Sequence, residues 1–194
     1  DLYASYPKAV CDSLMNLLGT HDTERILSVL GDTDIGMLDN KSLSERHMST
    51  DALARGIALL KIASTLQYTV FGVPSLFYGD EAGIEGGHDP FCRMPYPWGH
   101  ENRELLDHYR TLGSIRREHK VFADGEFSFL KVCDHFVAYE RASADECIVI
   151  AANRGRETVS MALDTPSEDL LCGENLPECV FVAPDSVRVL LMKR

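Results

Sequence analysis

His21 and Asp22 stand side by side in Gly19-Thr20-His21-Asp22-Thr23-Glu24-Arg25, directly after the mostly apolar run Leu14-Met15-Asn16-Leu17-Leu18. An imidazole beside a carboxylate can exchange protons, ligate a metal or hydrogen-bond a hydroxyl-rich ligand. The same pair could also be structural, with Asp22 capping the following turn and His21 half-buried and satisfied. Asp89 and Arg93, four residues apart, lie in a loop that carries Gly86-Gly87, Pro90 and Pro95. A carboxylate and a guanidinium held there could clamp hydroxyl groups, or simply bridge each other. Tyr78, Phe91, Tyr96 and Trp98 place aromatic rings near the same loop. Such rings can stack on a ligand; packing in the core is the plainer role, and the one expected for Tyr78. His88 and His100 have no partners at metal-ligand spacing, and the six cysteines show neither a C-x-x-C pair nor zinc-ribbon spacing. No metal site and no cofactor are expected. The cysteines are expected to be small buried hydrophobes, with a disulfide framework as the lesser alternative.

These residues need elements to hold them. Leu14–Leu18 reads as a short strand buried on both faces, as parallel strands are. From Asp51 to Val70 a stripe of Leu53, Ile57, Leu60 and Ala63, widened by Leu59, Ile62, Leu66 and Val70, predicts a helix with cap candidates Ser49-Thr50-Asp51. Gly72-Val73-Pro74 ends it, and Val73–Tyr78 is expected to be a second buried strand. A long loop from Gly79 to His100 follows. Leu105, Tyr109, Leu112 and Ile115 mark a further helix that ends near His119. Strand, helix, strand, helix with the polar candidates after both strands predicts part of an α/β barrel or doubly wound sheet, where sites lie at the carboxyl ends of strands.

The pattern changes near Val121-Phe122-Ala123. Short alternating runs follow: Phe127 and Phe129, Val137 and Tyr139, Ile148–Ala151, Val159 to Leu163, Val180–Val182 and Val187–Met192. They predict an antiparallel β-sandwich. The acidic stretch Glu174 to Glu178 is expected to be a solvated loop.

Nineteen Lys and Arg against 30 Asp and Glu give a formal net charge of −11, which argues against nucleic-acid or anionic-membrane partners. With 45% hydrophobic and 25% charged residues the composition is that of a globular protein. No apolar run approaches the ~20 residues that span a bilayer. Asp1-Leu2-Tyr3 has neither a basic nor an apolar leader character, so a cytoplasmic location is the expectation.

Asn16–Arg25 resembles the segment that ends barrel strand seven in the α-amylase superfamily, glycoside hydrolase family 13, with the neopullulanase and cyclomaltodextrinase branch the most similar. Gly72–Glu81 is similar to that family's strand-eight segment, and Gly86–Trp98 to the substrate loop after it. The resemblance runs from about Leu14 to the end of the sequence. It implies the last two β/α units of a (β/α)8 TIM barrel over residues 1–121, then an antiparallel β-sandwich domain over 122–194. It further implies that Asp22 is the third catalytic carboxylate, binding sugar hydroxyls next to the scissile bond and favouring the distorted ring. His21 would hydrogen-bond the same sugar, and Asp89 with Arg93 would hold the next one. Thr20 and Met94 differ from the commonest residues of the branch.

A retaining glycosidase needs two further carboxyl groups, a nucleophile and an acid/base, about 5–5.5 Å apart. In this family they follow strands four and five, which the resemblance does not place here. The expectation is therefore a C-terminal part of a retaining α-glucan hydrolase that cleaves α-1,4-glucosidic bonds, inactive by itself. Its partners would be an α-glucan oligosaccharide, and either a second copy or the rest of the barrel to cover the open strands. The alternatives are a non-catalytic glucan-binding or interaction protein and, more distantly, a metal-dependent phosphohydrolase built on His21 and Asp22.

Overall fold

The computed structural model describes residues 5–32 and 38–193. Asp1-Leu2-Tyr3, read above for leader character, lie outside the described residues. The first part contains α1 (Lys8–Asp12), β1 (Met15–Leu17), α2 (Ile26–Gly31), α3 (Asn40–Glu45), α4 (Thr50–Thr69), β2 (Val73–Ser75), a 3₁₀ turn over Phe91–Arg93, α5 (Arg103–Glu118) and α6 (Val121–Asp124). β1 and β2 pair in parallel, with Met15 opposite Val73 and Leu17 opposite Ser75.

Both helices predicted from the apolar stripes form where expected. Ser49 Oγ accepts from Ala52 N at 3.2 Å to cap α4, and Asn102 Oδ1 accepts from Leu105 N at 3.1 Å to cap α5. Leu105, Tyr109, Leu112 and Ile115 are all buried. In α4 the apolar stripe tells only half the story, because Ser64, Thr65, Gln67 and Thr69 are buried as well. Gln67 Nε2 donates to Asn16 O and to Ser75 O, each at 2.9 Å, so a single amide ties the helix to both parallel strands. At the end of α4, where orphan carbonyls accumulate, Arg116 donates to Tyr68 O and Gly72 O, and the buried Arg141 donates to Thr69 O.

The two strands are shorter and barer than the sequence suggests. Each has three residues. Met15, Leu17 and Val73 are 63%, 49% and 52% exposed, not buried on both faces. β1 ends at Leu17, so Leu76–Tyr78 has no ladder partner and leaves the sheet. Among the described residues the pair does not close into a barrel. Gly72 enters β2 at φ +90°, where a Cβ would sit 2.5 Å from Leu14 O.

The second part is an antiparallel sheet in the order β3 (Glu126–Cys133), β4 (Phe136–Ala142), β5 (Cys147–Asn153), β10 (Ser186–Met192), β7 (Ser167–Asp169), β8 (Glu174–Leu176). β6 (Val159–Ala162) and β9 (Cys179–Val182) form a separate ribbon. One sheet face meets the helices: Ile148, Ile150, Tyr139 and Val189 cluster with Ile115, Val121 and Phe122. The other meets the ribbon, through Ala138 and Ala151 with Val182, and Val149 and Leu190 with Val180. β5 is therefore covered on both sides, which is why Ile148–Ala152 is continuously apolar. The sandwich has unequal layers. The acidic stretch is solvent-exposed as expected but is not all loop: Glu174–Leu176 forms β8, which pairs with β7, and Glu174 receives a 2.9 Å hydrogen bond from Arg188.

The cysteines also depart from expectation. Cys11 and Cys92 are buried and Cys147 partly so, but Cys133, Cys172 and Cys179 are exposed. Cys179 begins β9 on the outward side of its alternation, and Cys133 ends the edge strand β3, whose last six residues are all exposed.

Candidate functional site

β1 and β2 run in the same direction, so the loops that leave their carboxyl ends emerge together. Asp22 follows the first strand and Arg93 the second, and the fold brings them into contact. Arg93 Nε lies 2.7 Å from Asp89 Oδ1 and donates to His21 O at 3.0 Å, while Arg93 Nη2 donates to Asp22 Oδ1 at 3.3 Å. His21 Nε2 is 3.2 Å from the other Asp22 oxygen. The other three sequence candidates thus converge on Arg93.

Neither structural alternative for His21 and Asp22 holds. Their side chains are 66% and 68% exposed, not half-buried. The turn is closed by threonines instead, with Thr20 N donating to Thr23 Oγ1 at 3.0 Å and Asp22 N to Thr20 Oγ1 at 3.2 Å. Asp89 and Arg93 do bridge each other, yet the guanidinium has reach enough left to engage Asp22. Two carboxylates sharing one cation leave acceptor oxygens facing solvent, an arrangement suited to receiving hydroxyl protons.

Aromatic rings edge this surface. Tyr78, expected in the core, is 43% exposed and donates from its hydroxyl to Met94 O at 2.9 Å. Its ring is held at the surface because the buried Arg25 guanidinium lies beneath it, 4.7 Å from the centroid. Trp98 is 79% exposed, with its ring centroid 4.5 Å from that of Tyr96. His88 contacts Asp89 O through Nδ1 at 3.0 Å, and His100 is exposed. Among the described residues no three His, Cys, Asp or Glu side chains come together to hold a metal ion, and no helix is long and apolar enough to cross a membrane.

Sequence reasoning passed over two residues behind the site. Arg25, fully buried at the start of α2, donates from Nε to Cys92 O at 2.6 Å and from Nη1 to Tyr78 O at 2.6 Å and Asp80 Oδ1 at 3.1 Å. Burial pushes the Asp80 carboxyl up to about 6, although the Arg25 hydrogen bond and charge pull the other way. Arg25 and Asp80 are 55 residues apart, so spacing could not pair them.

No family model matches the chain. Over 175 residues, 84% of the chain, it is 31% identical to an amylopullulanase of Thermoanaerobacterium thermosulfurigenes, and spans 9% of that protein. It is also 31% identical to a cyclomaltodextrinase of Geobacillus thermopakistaniensis, with 93% of the chain and 29% of the relative covered. The chain belongs to the α-amylase family, glycoside hydrolase family 13. Among solved structures, this α-amylase-family chain superposes on the type III pullulan hydrolase of Thermococcus kodakarensis with a TM-score of 0.75 at 26% identity, covering 97% of the chain and 30% of the other. It spans less than a third of each of these α-amylase-family relatives.

Proposed function

We propose that the chain forms the strand-seven and strand-eight units (residues 1–121) and the C-terminal β domain (122–194) of a retaining hydrolase acting on α-1,4-glucosidic bonds. The carrying observation is the convergence of His21, Asp22 and Asp89 on Arg93, at the carboxyl ends of two parallel strands. In this reading Asp22 and His21 hold the sugar next to the scissile bond, and Asp22 stabilises its distorted, positively charged transition state. Arg93 orients the Asp22 carboxylate, and with Asp89 it grips the neighbouring sugar. The nucleophile and the acid/base belong to strands four and five of the whole barrel, so this chain binds glucan without cleaving it. The remaining strands also supply the cover that Met15, Leu17 and Val73 lack.

Calorimetric titration with maltotriose, alongside a reducing-sugar assay on maltotriose and pullulan, tests this reading. Binding by the chain, weakened in Asp22→Asn, with no turnover, is the expected result. Turnover by the pure chain would overturn the division of labour between the carboxylates. Absence of binding would overturn the sugar site.

A further inference from the structure

We infer that Arg25, which lies beneath the exposed surface, is the positioning residue of this site. It fixes the peptide that carries Arg93. The inference rests on the proposed glucan site but concerns what holds that site in shape.

A guanidinium with no exposed side-chain surface is expensive to bury, and a hydrophobic side chain of similar volume would fill the space at less cost. What the guanidinium adds is a planar fork that can join several chain segments at fixed angles. The Arg25 guanidinium joins two stretches of the post-β2 segment, Tyr78–Asp80 and Cys92, and its backbone adds a third contact. Its own backbone N donates to Gly86 O at 3.0 Å, anchoring the start of the substrate loop. Its Nη1 holds Tyr78 O and the Asp80 carboxylate, just beyond β2. Its Nε holds Cys92 O at 2.6 Å, and that carbonyl shares a peptide plane with the Arg93 nitrogen. Phe77 and Tyr78 rings lie 4.2 and 4.7 Å from the guanidinium carbon, restricting its orientation.

The consequence reaches Asp22 from two directions. Arg25 follows Asp22 by three residues in the chain. Across space, the Cys92 thiol donates to His21 O at 3.1 Å and Arg93 Nε donates to the same oxygen at 3.0 Å. A shift of the Cys92–Arg93 peptide would therefore move the one cation that Asp22 and Asp89 share. Lys at position 25 would keep the charge but could not serve Cys92 O, Tyr78 O and Asp80 in one plane.

The test is Arg25→Lys, with Phe77→Leu as a milder second variant that removes one ring restraining the guanidinium. Two readouts are taken on protein shown to be folded: the NMR signal of the Arg93 Nε–H group and the maltotriose affinity. A merely structural Arg25 would lower the melting temperature and leave the Arg93 signal of the folded protein unmoved. The expected result is a displaced or broadened Arg93 signal in Arg25→Lys, a smaller displacement in Phe77→Leu, and affinity reduced on the order of tenfold in Arg25→Lys. An unchanged Arg93 signal in the folded variants would overturn the inference. If Arg25→Lys does not fold, Phe77→Leu decides by the same signal. Failure of the wild-type chain to bind maltotriose would sink the glucan site alone, since the Arg93 signal still reports on Arg25.

Discussion

Thr69 Oγ1 and Tyr139 Oη lie 2.6 Å apart, joining the last residue of α4 to the middle of β4 through a hydrogen bond buried at both ends. The contact belongs to a seam in which Arg141, two residues further along β4, donates to Thr69 O and Gly125 O. The helices behind the site and the antiparallel sheet thus share polar bonds as well as an apolar cluster.

The seam makes an asymmetric prediction. In Tyr139→Phe, Thr69 keeps its 2.6 Å hydrogen bond to Thr65 O, and the loss should be about 1 kcal/mol. In Thr69→Val the Tyr139 hydroxyl is left buried without a partner, and the loss should rise towards about 3 kcal/mol. Urea unfolding of the two variants gives the order directly; equal losses would contradict it.

The half-buried His108 and the buried Asp80 should pull the pH dependence of stability in opposite directions. Burial, helped by the Lys61 charge, pushes His108 down to about 4. From about pH 6.5 to 4 the unfolded chain binds a proton that the fold does not, so acidification destabilises. Asp80, pushed up to about 6 by burial, holds a proton in the fold that the unfolded chain has released, so stability falls as pH rises from about 4 to 6. Each effect is about 3 kcal/mol at most, and they largely offset one another. His108→Gln removes one of them. Relative to wild type, its stability measured in urea should improve on going from pH 6 to pH 4; a constant difference would show that His108 is not desolvated.

Glycine positions separate cleanly by conformation. Gly72→Ala places a Cβ against Leu14 O at a left-handed φ and should cost about 1–3 kcal/mol. Gly113 lies inside α5, where a Cβ would meet nothing within 4 Å, so Gly113→Ala should gain about 1 kcal/mol. Thermal unfolding of the two variants should show shifts of opposite sign.

Arg93→Ala should separate stability from binding. The side chain is 47% exposed, and exposed pairs contribute little, so stability should move by less than about 1 kcal/mol. Maltotriose affinity should fall by an order of magnitude or more, because Asp22 and Asp89 lose their common partner. Calorimetry on the folded variant checks this, and an affinity equal to wild type would remove Arg93 from the site.

The readable parts of the sequence are those governed by one local rule. Helix α5 showed itself because only one of its faces packs, and Leu105, Tyr109, Leu112 and Ile115 mark it. Helix α4 packs on more than one side, and its second face is polar. Gln67 and Thr69 look like solvent residues until the strand carbonyls and the Tyr139 hydroxyl they meet are in view, and Ser64 and Thr65 until His108 of α5 is seen against them. His21, Asp22, Asp89 and Arg93 were legible as short motifs, but the pairing of Arg93 with Asp22 depends on two strands running parallel. Arg25 and Asp80 were hidden for the same reason. The acidic stretch misled only in its backbone: Glu174 is solvent-exposed as its charge predicts, yet it pairs with Asp169 in the sheet and meets the Arg188 guanidinium.

The exposed position of Trp98 also gives the protein an optical property. It is the single tryptophan of the chain, and it sits five residues beyond Arg93 on the loop that follows β2. Indole emission therefore comes from that loop alone, with no background from the core of the protein. Its wavelength should be near that of a solvated indole in the resting chain, and any blue shift or change in quenching by iodide reports an event at the loop rather than unfolding elsewhere.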